Sequence, residues 1–188
     1  MAGQISLGFA IGMILVYYPD STQFATSISI PFIANGMIDI SWFYIPLVIL
    51  VITGTCNAVN LTDGLDGLAI SVFTVAAAAF TALTYVSGHA AIAEFLLIVR
   101  FPPAGELTIF CGSLVGAGLG FLWYNSYPAD IFMGDVGSLA LGGALGTVAL
   151  LIKQELLLPI VGAVFVIEIL SVIIQVASYK LTGRRVFR

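Results

Sequence analysis

The sequence predicts an all-α, polytopic membrane protein with about six transmembrane helices in 188 residues. Hydrophobic residues make up 60% of the chain and charged residues only 9%, whereas a soluble globular domain typically carries about 25% charged residues. The mean hydropathy is +1.12, and the apolar residues fall in long runs. Because backbone polar groups in lipid must be satisfied within the segment, these runs predict helices and not isolated strands.

Six apolar runs are candidate spans, since a spanning helix needs about 17–25 residues. The third, fourth and sixth are long enough as they stand, and flanking uncharged residues extend the others. In chain order the runs are Ile5–Tyr18, Trp42–Cys56, Leu68–Val86, Leu107–Tyr124, Gly137–Ile152 and Leu156–Tyr179. We expect no cleavable signal peptide, because neither a basic segment nor a small-residue cleavage site precedes the first run.

Two longer connections separate the spans on one side. In Pro19–Ser41 the segment Phe24–Ile30 alternates apolar and small polar residues, which predicts a short β-hairpin. In Ser87–Glu106 the segment Ala90–Arg100 is expected to form a short interfacial helix that Pro102 and Pro103 terminate.

The orientation follows from the alternation of loops. With six crossings, the connection that holds Asp63 and Asp66, the connection Asn125–Val136 and the C-terminal tail lie on the same side. That side carries four basic residues and the other carries two, so the positive-inside rule predicts that the first side is cytoplasmic. The four are Lys180, Arg184, Arg185 and Arg188, and the two are Arg100 and Lys153.

Cysteine and histidine usage excludes two kinds of site. Cys56 and Cys111 lie in or beside apolar runs, which indicates inert buried thiols and not a disulfide or metal framework. His89 is the only histidine, so this chain cannot build a histidine-based metal site. No nucleic-acid partner is expected.

The polar stretch Asn57–Gly67 is the first candidate site. It places carboxylates, carboxamides and glycines between two apolar runs, and we interpret it as an active-site loop at the membrane surface. Ordinary roles are the alternatives: Asp63-Gly64 is a common turn pair, and Asp66 is a possible N-cap for the run that begins at Leu68.

The stretch Asn125–Asp135 is the second, and parity brings it beside the first. Asp63, Asp66 and Asp135 then converge from two loops, where carboxylates repel one another unless they share a cation. Oxygen ligands of this kind suit Mg²⁺ and indicate metal-assisted phosphoryl transfer, whereas the spacing lacks a Ca²⁺-loop pattern. Alternatively, Asp135 caps the next helix, and Phe132 by itself is typical of an interfacial anchor.

Small and polar residues inside the runs have simpler interpretations. Glycines recur every four residues at Gly112, Gly116 and Gly120 and again at Gly142 and Gly146, which favours close helix packing over substrate contact. Glu168 lies inside the sixth run, where a carboxylate is either functional or a buried hydrogen-bond partner; the sequence leaves both open.

Three segments together resemble one family. Asn57–Ala69 (NAVNLTDGLDGLA), Phe121–Gly146 (FLWYNSYPADIFMGDVGSLALGGALG) and Lys180–Arg188 (KLTGRRVFR) are similar to the phospho-N-acetylmuramoyl-pentapeptide transferase family. This family belongs to the polyprenyl-phosphate N-acetylhexosamine-1-phosphate transferase superfamily. The resemblance covers essentially the whole chain in order.

The resemblance implies roles for particular residues. It implies that Asp135 binds Mg²⁺, that Asp63 is an essential active-site aspartate, and that Asn57 and Asn125 are active-site asparagines. It further implies a nucleoside pocket in which one acid recognises the uracil and an aromatic ring stacks on it. The residues of that pocket are Asp66, Phe132, Gly64 and Leu65.

The implied reaction joins UDP-N-acetylmuramoyl-pentapeptide to undecaprenyl phosphate, giving lipid I and UMP at the cytoplasmic face of a bacterial inner membrane. The expected partners are these two substrates and the bilayer, and a homodimer is possible because glycine ridges allow helix pairing. A sibling transferase that uses UDP-N-acetylglucosamine is the alternative. A transporter is disfavoured, because transport sites lie near the membrane midplane.

The chain departs from the family by omission. It has no counterpart of the family's N-terminal third, which carries an aspartate pair and lysines of the site, or of its C-terminal histidine segment. We therefore expect residues 1–188 to be a single integral membrane domain that is a fragment of a larger ten-helix domain, with little activity by itself.

Overall fold

The computed structural model describes residues 1–18, 25–31, 33 and 36–184, which are almost entirely helical. The helices are α1 (Ala2–Tyr17), α2 (Tyr44–Thr62), α3 (Leu68–Gly88), α4 (Ala90–Phe95), α5 (Ala104–Asn125), α6 (Gly134–Leu151), α7 (Leu158–Val161) and α8 (Ala163–Thr182). Two strands, β1 (Ser27–Ser29) and β2 (Met37–Asp39), and a 3₁₀ turn at Ser41–Phe43 precede α2.

Five helical segments in the described residues are long and apolar enough to cross a membrane. They are Ser41–Thr62, Leu68–Gly88, Ala104–Asn125, Gly134–Leu151 and Ala163–Thr182, and α1 is a shorter apolar helix of 16 residues. The prediction of an all-α, polytopic membrane protein is confirmed, with the first of the six expected spans shorter than the rest.

Two helix boundaries differ from the predicted ones. The interpretation of Asn57–Gly67 as a loop is wrong for its first half, because α2 continues to Thr62. Thr62 Oγ1 donates back to the Ala58 carbonyl at 2.9 Å, which satisfies its hydroxyl inside the helix. The run Leu156–Tyr179 is also not one helix: Gly162 separates α7 from α8, and Pro159 lies in the first turn of α7, where a missing N–H costs nothing.

The connections also differ in detail from the prediction. A hairpin is present, but β1 pairs antiparallel with β2, which lies beyond Phe24–Ile30; Ile28 faces Ile38 in the register. Phe24, Arg185 and Arg188 lie outside the described residues. The expected helix Ala90–Arg100 is half as long, since α4 ends at Phe95 and Leu97 adopts φ 55°, which is not helical.

Helix α2 is the centre of the packing, with α1 on one side and α6 on another, while α3 packs on α5. Glycines let α6 approach α2: a Cβ at Gly142 would meet the Thr55 carbonyl oxygen, and a Cβ at Gly146 would lie 2.5 Å from Thr55 Oγ1. The predicted packing role is therefore confirmed on α6. It is not met on α5, where Gly112, Gly116 and Gly120 meet nothing within 4 Å among the described residues.

The two cysteines are buried and free, as the sequence predicted. Glu168 is half-buried on α8, and its side chain makes no hydrogen bond within the described part of the chain, so both interpretations of this carboxylate stay predictions.

A buried polar cluster that the sequence did not reveal ties the opposite end of α2 to the turn after α6. Lys153 Nζ donates to the Tyr44 hydroxyl at 2.6 Å and lies 4.0 Å from the centre of its ring. The Tyr44 hydroxyl donates to Glu155 Oε1 at 3.2 Å. Burial raises the pKa of Glu155 to about 7 and lowers the pKa of Lys153 to about 8, and their mutual attraction opposes both shifts.

Candidate active site between the α2–α3 and α5–α6 connections

A polar pocket of about 230 Å³ lies where the two acidic segments of the sequence meet. The α2–α3 connection (Asp63–Gly67) and the α5–α6 connection (Ser126–Met133) form it together with the adjoining helix ends. Its lining residues are Asn60, Asp63, Gly64, Leu65, Asp66, Asn125, Phe132, Gly134 and Asp135. The prediction that the two segments converge is confirmed.

Asn125 holds the two connections together. Its side chain is only 4% exposed at the C-terminal end of α5. Its Oδ1 accepts a hydrogen bond from the Gly67 backbone N–H at 3.1 Å, and its Nδ2 donates to the Ile131 carbonyl at 2.8 Å. Both ends of the carboxamide are therefore engaged with the protein backbone.

Asp66 makes the second link between the connections. Its Oδ2 accepts a hydrogen bond from the Ala129 backbone N–H at 3.1 Å. Asp66 does not cap α3, because Gly67 occupies the N-cap position in a left-handed conformation, φ 75°, without a side-chain cap. One carboxylate oxygen thus fixes the loop, while the residue itself lines the pocket.

Asp63 and Asp135 bring two like charges into the pocket. The pKa of Asp63 is raised, first by partial burial and then by the negative charge of Asp135; a hydrogen bond from the Gly134 backbone opposes the shift. Asp135 lies in the first turn of α6, where the helix dipole favours a negative charge. Two such carboxylates repel each other unless a cation lies between them.

The donor set determines which cation fits. No group of three or more His, Cys, Asp and Glu side chains suited to hold a metal is found in residues 1–18, 25–31, 33 and 36–184. A closed protein cage is therefore absent from that part of the chain. Mg²⁺ needs no such cage, since it is commonly held by one or two carboxylates together with water and substrate phosphate oxygens. Asp63 and Asp135 match that requirement.

Asn60 is a pocket residue to which the sequence interpretation gave no role. It lies one turn before Asp63 on α2 and lines the pocket. Its Oδ1 accepts a hydrogen bond from Ser138 Oγ of α6 at 2.5 Å. The signal in the sequence is the spacing of three between Asn60 and Asp63, which places both on one side of α2 once the helix is known to continue to Thr62, with Asp63 as its C-cap.

Asn57 is not among the residues that line the pocket. Its Nδ2 donates to the Thr53 carbonyl at 2.6 Å and to Gln4 Oε1 at 3.3 Å, so it connects α2 to the start of α1. Its expected catalytic role stays a prediction.

One side of the pocket is open. Phe132 and Leu65 both line it, and 73% and 71% of their surfaces are exposed. Gly64 lies beside Leu65 and is exposed as well. No lysine or arginine of the described residues lines the pocket, so its side chains offer negative charge and N–H donors but no cation of their own.

The chain is similar in sequence to known proteins along its whole length. Residues 3–153 match the family model described as glycosyl transferase family 4. A phospho-N-acetylmuramoyl-pentapeptide-transferase of Pelobacter propionicus is 55% identical over 188 residues, which are 100% of this chain and 52% of the relative. The transferase of the same name in Koribacter versatilis is 52% identical over 203 aligned residues, covering 100% of this chain and 54% of the relative. The chain thus spans about half the length of the curated relatives it matches.

Proposed function

The chain belongs to glycosyl transferase family 4, which confirms the resemblance seen in the sequence, and we propose that its polar pocket is part of a phospho-sugar transferase active site. The observation that carries the proposal is the convergence of Asp63, Asp66 and Asp135 in one pocket at the ends of membrane helices. Relatives at 55% identity that are named phospho-N-acetylmuramoyl-pentapeptide-transferase support a muramoyl-pentapeptide substrate.

The proposed reaction transfers phospho-N-acetylmuramoyl-pentapeptide from its UDP derivative to undecaprenyl phosphate. In the net reaction an oxygen of the lipid phosphate forms a bond to the sugar-linked phosphorus, and the bond from that phosphorus to the bridging oxygen breaks. The bridging oxygen leaves on UMP, and the lipid product carries a new pyrophosphate linkage between the lipid phosphate and the sugar-linked phosphate. Both substrates are anionic, so the site must hold negatively charged groups close together. The attacking and leaving oxygens must also be in line at the phosphorus.

The acids of the pocket suit that task with a metal. Asp135, with Asp63 facing it, would hold Mg²⁺. Bound Mg²⁺ would supply neutralisation of the pyrophosphate charge. The N-terminus of α6 lies beside these carboxylates, and its first-turn N–H groups favour anions such as the substrate phosphates.

We assign the uridine to the open side of the pocket. Phe132 offers an exposed ring on which the uracil stacks, and the free oxygen of Asp66 accepts from the base. Gly64 and Leu65 line the same side. Asn125 supports this arrangement by fixing both connections, and its expected catalytic role stays a prediction.

An apolar cavity of about 360 Å³ supports a lipid substrate with a hydrocarbon chain. It follows α2 from Leu47 to Val59, and α7 and α8 form its other wall through residues such as Phe165 and Ile169. The lining of the cavity reaches Val59, the residue before Asn60, and Asn60 lines the polar pocket. A hydrocarbon chain bound along this face of α2 would bring its phosphate towards Asp63.

The pocket is proposed to face the cytoplasm, where the nucleotide substrate is made. From the sequence alone, alternation of the connections predicts four of the six basic residues on the pocket side, which is the distribution expected of the cytoplasmic side. The bacterial inner membrane is the corresponding location.

A chimera tests the proposal. The 188 residues replace the matched half of the Pelobacter propionicus relative, and the purified protein in detergent is given undecaprenyl phosphate, Mg²⁺ and either of two UDP-sugars. We expect lipid-linked product and equimolar UMP from UDP-N-acetylmuramoyl-pentapeptide. Preference for UDP-N-acetylglucosamine would move the chain to the sibling activity, and product no higher than that of the Asp63→Ala chimera would contradict the proposal.

A further inference from the structure

Ser138 makes a contact across two helices at the base of the pocket. It is fully buried in the second turn of α6, and its Oγ lies 2.5 Å from Asn60 Oδ1 on α2. The contact continues a regular seam: Gly146, Gly142 and Ser138 follow one another by four on α6, and they meet Ile52, Cys56 and Asn60 on α2. The register that the glycines set therefore brings Ser138 to Asn60.

The direction of this hydrogen bond determines what Asn60 presents. The Ser138 hydroxyl has one proton, and Asn60 Oδ1 is closer than the helix carbonyls of Gly134 and Asp135, at 3.1 and 3.4 Å. With its oxygen held by Ser138, the carboxamide turns its Nδ2 away from α6. We infer that Ser138 is a positioning residue that holds Asn60 so that Nδ2 donates to a phosphoryl oxygen of the bound nucleotide.

The Nδ2 donor of Asn60 matters because acidic side chains surround it. Three of the lining side chains are carboxylates, and the Nδ2 of Asn125 is already used on the Ile131 carbonyl. Asn60 Nδ2 makes no hydrogen bond within the described residues, so both of its N–H groups remain for a ligand, whereas Asn125 is only 4% exposed and has one N–H engaged. A neutral donor among acids binds an anion that the acids by themselves repel.

The position of Asn60 selects the phosphate and not the base. Asn60 is one turn from Asp63 on α2 and faces the start of α6, whereas Phe132 and Asp66 lie on the open side assigned to uridine. This inference rests on the proposed function, since it takes a uridine nucleotide as the ligand of the pocket.

Ser138 does not need Asn60 for its own satisfaction. Thr147, nine residues further along α6, satisfies its hydroxyl by donating to the Gly143 carbonyl at 2.7 Å. Ser138 has the equivalent acceptor in Gly134. Thr147→Val is therefore a matched control, which removes a hydroxyl from the same helix without touching the pocket.

The experiment measures the Kd of UMP and of uridine by titration calorimetry, with Mg²⁺ present, on the chimera described above. Ser138→Ala is expected to raise the Kd of UMP about fivefold, the scale of one net hydrogen bond, and to leave the Kd of uridine unchanged. Asn60→Asp keeps an acceptor for Ser138 but lacks the N–H donor, so it should weaken UMP at least as much. Thr147→Val should change neither constant.

A double substitution separates positioning from general loosening of the helices. If Ser138 acts through Asn60, adding Ser138→Ala to Asn60→Ala weakens UMP no further. Additive losses, an equal loss for uridine, or an unchanged UMP affinity in Ser138→Ala would each overturn the inference while leaving the transferase assignment intact. Absence of UMP binding by the unsubstituted chimera would overturn both.

Discussion

Asn125 and Gly67, 58 residues apart in the chain, are joined by a hydrogen bond of 3.1 Å from the Gly67 backbone to the Asn125 side chain. The same side chain reaches the Ile131 carbonyl, so one buried carboxamide closes both connections around the pocket. Asn125 is the last residue of α5, so a shift of this helix would also move the two connections that form the pocket.

Replacing Asn125 by alanine should destabilise the protein. The Gly67 N–H and the Ile131 carbonyl would lose their partner, and a buried polar group left unpaired, as at Gly67, costs about 1–3 kcal/mol. The melting temperature of the purified chain in detergent measures this loss. Ser113→Ala is the control, because that exposed hydroxyl bonds only to its own helix; equal melting temperatures for the two variants would contradict the bracing role.

Gly142→Ala should separate α6 from α2. Its Cβ would come within 2.7 Å of Cys56 Cα and within 2.8 Å of the Thr55 carbonyl carbon, and overpacking of this kind costs about 1–3 kcal/mol. Gly116→Ala, on α5, meets nothing within 4 Å and should not lower the melting temperature. If the two alanines had the same effect, the close approach of α2 and α6 would be refuted.

The buried pair Glu155 and Lys153 should give stability a distinctive pH dependence. The pKa of Glu155 is raised from its ordinary value of 4.5 to about 7, so the folded protein binds this proton more tightly than the unfolded chain. Stability from this group is present at low pH and is lost as pH rises towards 7. Lys153, with its pKa lowered to about 8, adds stability only as pH rises from 8 towards its ordinary value of 10.5.

Glu155→Gln isolates the contribution of this carboxyl. The amide still accepts from the Tyr44 hydroxyl but does not titrate, and Lys153 and Tyr44 are the charged and titratable groups that act on it. Melting temperatures measured from pH 5 to 7 should fall more steeply for the unsubstituted chain than for the variant. Parallel curves would show that Glu155 does not titrate in this range.

Phe132→Ala should weaken uridine binding with little change in stability. The ring is 73% exposed, so its removal costs little packing, whereas stacking of a base on an aromatic side chain contributes about 1–3 kcal/mol. Tyr127→Ala is the control in the same connection, since Tyr127 is 87% exposed and does not line the pocket. Calorimetric titration with uridine distinguishes them, and similar affinities would remove Phe132 from the nucleoside site.

The fold was predictable where hydropathy alone determines structure. The apolar runs predicted the helices. Because successive connections alternate between the two sides of a membrane, the same runs predicted that Asp63 and Asp135 lie close together. Boundaries were not predictable, because Asn57 and Asn60 look like loop residues, although their side chains find partners on neighbouring helices. Gly118 illustrates the same limit: it contacts Ile70 and Thr74 of α3, whereas the regular glycines beside it on α5 do not pack.

The site was predictable as a set of residues but not as a division of tasks. Asp63, Asp66, Asn125, Phe132 and Asp135 do line one pocket. Which atoms are already engaged depends on tertiary contacts, so the structural link made by Asn125 and the contact of Ser138 with Asn60 lay beyond sequence reasoning. The cluster of Tyr44, Lys153 and Glu155 was not predicted, for the same reason. In the sequence analysis Lys153 was considered only as a basic residue of a connection between helices.

The most direct test of the central claim is the rate of UMP release coupled to lipid-linked product in the chimera, measured for single acid-to-amide substitutions. Asp63→Asn and Asp135→Asn should each lower the rate by at least about a hundredfold, because electrostatic stabilisation of a charged transition state is typically of that size or larger. Glu106→Gln, at the opposite ends of the helices, should leave it unchanged. Retention of the full rate by either aspartate variant would contradict the assignment of this pocket as the active site.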